Sequence, residues 1–181
     1  MSHFEYISVA VSLIYSLLLA KLLGALPAAL QPARRYWVHV TWILTLFFLA
    51  CDSWWRIWSY REVVWNPIAF VSLMAVPSII YLRAAILLGN GTDEVRSWRE
   101  HYYSVRRPFF LLQLLGTANY AFSHQFISGV ALVSSAWDMF AIALLAGLAI
   151  AAAFSKAPRL HEANAVLMLV ATTFGLFFVL P

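Results

Sequence analysis

Three carboxylates stand in or beside long apolar runs: Glu5, Asp52 and Asp138. An ionised side chain in hydrocarbon is costly unless it is paired, so each one raises a question of partner or function. Asp52 has an answer four residues on. Arg56 shares its helix face, which makes a structural ion pair the first reading. Asp138 has no neighbour of that kind. Arg56, Arg61 or His124 would have to reach it from other segments; left unpaired, it would suit the handling of a proton or cation. Glu5 heads a stripe that continues through Ser8, Ser12, Ser16, Ala20 and Gly24. Small residues every four positions let helix backbones approach closely. The stripe therefore reads first as a helix-packing seam, with the serines bonding back to the preceding turn, and second as a polar path.

A later segment carries Gln113, Gly116, Thr117, Tyr120, Ser123 and His124 on roughly one side. Hydrogen bonding between helices accounts for such a set, and a lined cavity is the sharper alternative. Glu5, Asp52, Asp138 and His124 are thus the candidates for an ion-binding or pathway role.

Other chemistries are thinly represented. Imidazole can ligate a haem or another tetrapyrrole, and His39, His124 and His161 are the positions to consider. No two histidines share a short motif, so no cofactor is implied. Neither a zinc-type HExxH pattern, a G-x-S-x-G elbow nor a glycine-rich phosphate loop is present, which weighs against an enzyme. The single cysteine, Cys51, rules out an intrachain disulfide and a cysteine-rich metal site.

The elements that hold these residues follow from composition. Hydrophobic residues make up 63% of the chain, charged residues 11%, and the mean hydropathy is +0.79. A soluble domain carries about 25% charged residues. The main solvent of this chain must therefore be lipid. Its net charge of +4 is no nucleic-acid signal, because the basic residues sit at the ends of apolar segments.

Apolar periodicity predicts an all-α integral membrane protein with a single transmembrane domain over 1–181. Its six segments cover about 4–26, 36–58, 65–88, 108–126, 130–154 and 163–181. The first reads as a retained helix, since its positive charge (Lys21) lies at the far end. Alternating the segments with the first loop inside puts ten of the twelve Lys and Arg residues on the cytoplasmic side, leaving only Arg56 and Arg61 outside. Both termini are then expected outside. The outer face also gains an aromatic belt of Trp54, Trp55, Trp58, Tyr60, Trp65 and Trp137.

The one long polar run, 96–108, separates the third and fourth segments. Val95, Trp98, Tyr102 and Val105 would share one face of a helix there, with Arg96, Arg99, Arg106 and Arg107 largely elsewhere. This predicts an amphipathic surface helix over about 93–107, capped by Thr92, whose arginines meet lipid headgroups or a partner. Pro108 would open the next helix.

Phe4-Glu5-Tyr6-Ile7-Ser8-Val9, Tyr36-Trp37 with His39, and Glu100-His101-Tyr102 through Arg106-Arg107-Pro108-Phe109-Phe110 resemble a group of small uncharacterised bacterial multi-pass inner-membrane proteins. The resemblance implies a multi-pass place in the bacterial inner (plasma) membrane and brings no activity with it. The functional expectation is a small homo-oligomeric membrane protein that forms or lines an ion or small-solute pathway. The alternative is an accessory or assembly subunit of a larger membrane complex. The expected partners are membrane lipids and either further copies of the chain or other membrane subunits, not nucleic acid.

Overall fold

A computed structural model describes residues 3–89, 95–126 and 136–178. Six α-helices account for the regular structure: α1 (His3–Ala29), α2 (Trp37–Arg56), α3 (Pro67–Leu88), α4 (Trp98–Phe126), α5 (Ala136–Phe154) and α6 (Pro158–Phe178). A short 3-10 turn, Ile57–Tyr60, extends α2. No strand occurs among the described residues. Among the described residues four helices are long and apolar enough to cross a membrane: α1, α2 with its extension, α3 and α6. The described residues are thus all-helical, with several helices suited to a bilayer.

Local chemistry sets the boundaries of α3. Asn66 accepts from the Ala69 N–H at 2.9 Å, and Pro67, which lacks the N–H that would go unused, follows it. At the other end Gly89 takes φ 68°, a backbone conformation in which a side chain would be strained. A Cβ there would also stand 3.3 Å from the His101 ring.

Successive helices run up and down. The last turns of α1, α3 and α5 gather with the first turns of α2, α4 and α6. The Trp98 indole N–H donates to Ala28 O at 3.3 Å, His101 Nε2 to Leu87 O at 3.0 Å, and Arg106 Nε to Ser155 O at 3.1 Å. Arg34, Arg35, Arg96, Arg99, Arg107, Lys156 and Arg159 crowd this end of the molecule, referred to below as the basic end. At the opposite end Phe4 packs edge-on against Trp58, and Arg56 Nη2 reaches Gly175 O at 3.3 Å.

The polar run departs from expectation. It is no separate surface helix: residues 98–107 are the first turns of α4, which continues through Pro108 without a break. Trp98, Tyr102, Phe109 and Phe110 are each fully buried, so the apolar face meets protein instead of lipid. Tertiary packing of four large aromatic rings outweighs the cost of a proline inside a helix, about 3 kcal/mol. Ser97, not Thr92, lies at the start, its hydroxyl accepting from the Glu100 N–H at 3.4 Å. Thr92 lies outside the described residues.

The sixth helix also differs. It begins at Pro158, more than a turn before the expected 163, so that its first turns bury His161 and Asn164. Pro158 stands at the helix start, where its missing N–H costs nothing.

Candidate functional site

The described polar groups that lack a partner concentrate towards the basic end, between α2, α3, α4 and α6. The arrangement is built on aromatic rings. His39 of α2 stacks on Trp98 at 4.4 Å between centroids and faces His101 edge-on at 6.4 Å. Trp42, one turn along α2, meets Phe109 and Phe110 edge-on at 5.0 and 5.4 Å. His161 closes the far side. Its Nε2 donates to Ser155 O at 3.1 Å, which leaves Nδ1 to accept from the Tyr102 hydroxyl at 2.9 Å. Tyr36, in the turn before α2, places its hydroxyl 3.4 Å from that of Tyr103. Burial, with that contact second, pushes the Tyr36 phenol above its ordinary range.

Arg83 of α3 lies inside this frame, only 4% exposed. Its guanidinium sits over the Phe109 ring at 4.8 Å and over Trp42 at 5.7 Å. Arg83 Nη2 donates to Gln113 Oε1 at 2.9 Å. Among the described residues no carboxylate meets it, and its Nε has no partner. Gln113 in turn reaches Met168 Sδ of α6 at 3.9 Å, and Asn164 lies one turn before Met168. Asn164 is 1% exposed with both amide atoms unpartnered, and both ring nitrogens of fully buried His39 are likewise without a hydrogen bond. In the sequence Arg83 stands out only as a topology charge. Its place five residues inside an apolar segment was the available signal, because an arginine there must either extend towards the interface or find a site.

Glu5 and Asp52, two of the four pathway candidates, lie towards the opposite end of the bundle. Glu5 is exposed in the first turn of α1. Asp52 is held by Arg56, whose Nε lies 3.0 Å from both carboxylate oxygens, and Arg56 also binds α6 at Gly175. The side chains of His124 and Asp138 lie outside the described residues. With side-chain exposures of 31% for Arg56 and 16% for Asp52, the pair is only partly withdrawn from its surroundings. A double-mutant cycle of Asp52→Asn and Arg56→Gln, read by thermal unfolding in detergent, should give a coupling of about 0.5–1 kcal/mol. A coupling several-fold larger would mean a desolvated functional pair.

The α1 stripe turns away from the chain's own core. Ile7, Val11, Tyr15, Leu18, Leu22 and Ala25 form the buried face, so the intrachain packing seam is not the small-residue stripe. The hydroxyls of Ser8, Ser12 and Ser16 bond back to the carbonyls of Glu5, Ser8 and Ser12, at 2.8, 2.6 and 2.8 Å. Ser16 and Gly24 are exposed, and a Cβ added at Gly24 would meet nothing within 4 Å. Beside the stripe a groove of about 380 Å³ runs between α1 and α2, lined by Ser12, Tyr15, Ser16, Ala50, Cys51 and Trp54 among others.

The expected arginine contacts separate into two groups. Arg96, Arg99 and Arg107 are exposed at the basic end, as headgroup or partner contact requires. Arg106 is not. It is 8% exposed and spends its donors on Ser155 O and Tyr103 O, the latter at 2.7 Å, where it ties α4 to the end of α5. Of the three imidazoles considered for a tetrapyrrole, His39 and His161 are packed among aromatic rings, and the side chain of His124 lies outside the described residues. Among the described residues no three His, Cys, Asp or Glu side chains gather as a metal ion would need.

Comparison with protein-family models, curated proteins and solved structures finds no match for this chain.

Proposed function

We propose that this chain is a six-span protein of the bacterial inner membrane, with both termini outside and the basic end in the cytoplasm, and that it works as an assembly subunit docking further membrane helices on α1. The stripe of Ser8, Ser12, Ser16 and Gly24, half-buried at its start and exposed from Ser16 on, carries the reading. Its hydroxyls are already satisfied and its side chains are small, so a helix from another copy or another subunit can approach at backbone distance. Exposed Val9, Leu13, Leu17 and Leu23 flank the stripe and supply van der Waals contact. The crowding of basic residues at one end supports the orientation. An ion or small-solute pathway, the other expectation, asks Glu5, Asp52 and Asp138 to share a route, and Asp52 is already engaged by Arg56.

Gly24→Leu separates docking from folding, since the chain itself leaves room for the added side chain. The variant should unfold within about 2 °C of the parent in detergent. In native mass spectrometry of gently extracted membranes it should lose the higher-mass species that the parent forms. Retention of that species by Gly24→Leu, or a parent that is always a lone monomer, would overturn the proposal.

A further inference from the structure

We infer that the buried Arg83 centre is a binding site for one oxygen-bearing anionic group, a phosphate or a carboxylate, taken up from the basic end. A guanidinium this deeply buried needs a counter-charge, because removing it from water costs far more than hydrogen bonds to neutral groups return. The described residues offer it only partial compensation: the faces of Phe109 and Trp42, and the amide oxygen of Gln113. Its Nε–H is left over. So is the whole amide of Asn164, joined to Arg83 through Gln113 and the Met168 turn of α6. His39, whose ring is one turn from Trp42, adds a further unpartnered N–H. The leftover groups on the helices that meet at Arg83 are therefore rich in donors. Phosphate and carboxylate match that pattern, as they accept several hydrogen bonds and engage a guanidinium through two oxygens.

Position suits the same ligand. Arg83 lies five residues before the end of α3, about 8 Å of helix, so it stands just below the level of headgroups at the basic end. Its side chain does not extend outward to that level but is held between rings. The anion can thus arrive as a free ion from the cytoplasmic side or as the headgroup of an inner-leaflet lipid. The site is independent of how α1 assembles.

The test uses the full-length purified protein and follows its thermal midpoint. Inorganic phosphate or acetate is titrated against chloride at matched ionic strength. In a second arm the protein is placed in phosphatidylglycerol vesicles and compared with phosphatidylcholine vesicles. A saturable rise with the free anions identifies a soluble ligand, and a rise confined to phosphatidylglycerol identifies a lipid headgroup. Arg83→Gln should weaken the responding arm about tenfold or more, and Arg83→Lys, which keeps charge without the planar fork, should weaken it less. Should Arg83→Gln fail to fold, Asn164→Leu serves in its place. That amide has no hydrogen-bond partner among the described residues, so its loss should spare the fold and weaken the response about threefold or more. The inference is overturned if the parent responds in neither arm. It is equally overturned if the folded variants respond as the parent does.

Discussion

Trp98→Ala should lower stability by about 3–5 kcal/mol, the cost of removing a large buried aromatic ring. Trp98 has no exposed surface, its N–H is spent on Ala28 O in the last turn of α1, and its face covers His39 of α2. One side chain thus joins three helices. Trp98→Phe should cost markedly less, because a ring still covers His39 while only the bond to Ala28 is lost. Denaturant or thermal unfolding in detergent, followed by far-ultraviolet circular dichroism, measures both. A surface helix resting on lipid would give the opposite pattern: Trp98→Ala would weaken membrane-surface contact and leave the helical bundle's midpoint unchanged.

Arg106 and Arg107 make the second contrast. They are adjacent, carry the same charge, and would be equivalent if both served anionic headgroups. The structure separates them by burial. Arg106→Ala removes two charge-assisted hydrogen bonds, to Ser155 O and Tyr103 O, and should cost about 2–3 kcal/mol. Arg107→Ala removes a cation–ring contact of 5.8 Å with exposed Phe154 and should cost about 0.5 kcal/mol. Thermal midpoints of the two variants, each measured in neutral and in anionic detergent mixtures, decide the matter. Arg107→Ala should be the variant whose anionic-lipid dependence falls. Equal losses for the two would mean that Arg106 is not the tie between α4 and the end of α5.

Much of the fold was legible in the chain. Its composition names lipid as the main solvent, and its apolar runs place the described helix ends to within about a turn, apart from the starts of α4 and α6; the expected start of the fifth segment, at about 130, lies outside the described residues. The i, i+4 spacing of Asp52 and Arg56 identified an ion pair that the structure contains. Local chemistry suffices for these features, because each depends on residues within a turn or two of one another.

The destination of each helix face was not legible. In water an apolar stripe must seek the core, so period predicts burial. In a membrane, lipid and protein interior are equally apolar, and the same stripe is satisfied by either. The face containing Trp98 and Tyr102 therefore read as a lipid contact until α1, α2 and α6 were seen to cover it. The small-residue stripe of α1 read as a seam, yet the chain buries the neighbouring face. Arg83 and Arg106 were legible as charges near helix ends, and so as topology markers. Which of the basic residues lies between rings, which caps a turn and which stays at the surface was decided only by the meeting of helices distant in sequence, since a charge is silent about its surroundings until they are assembled around it.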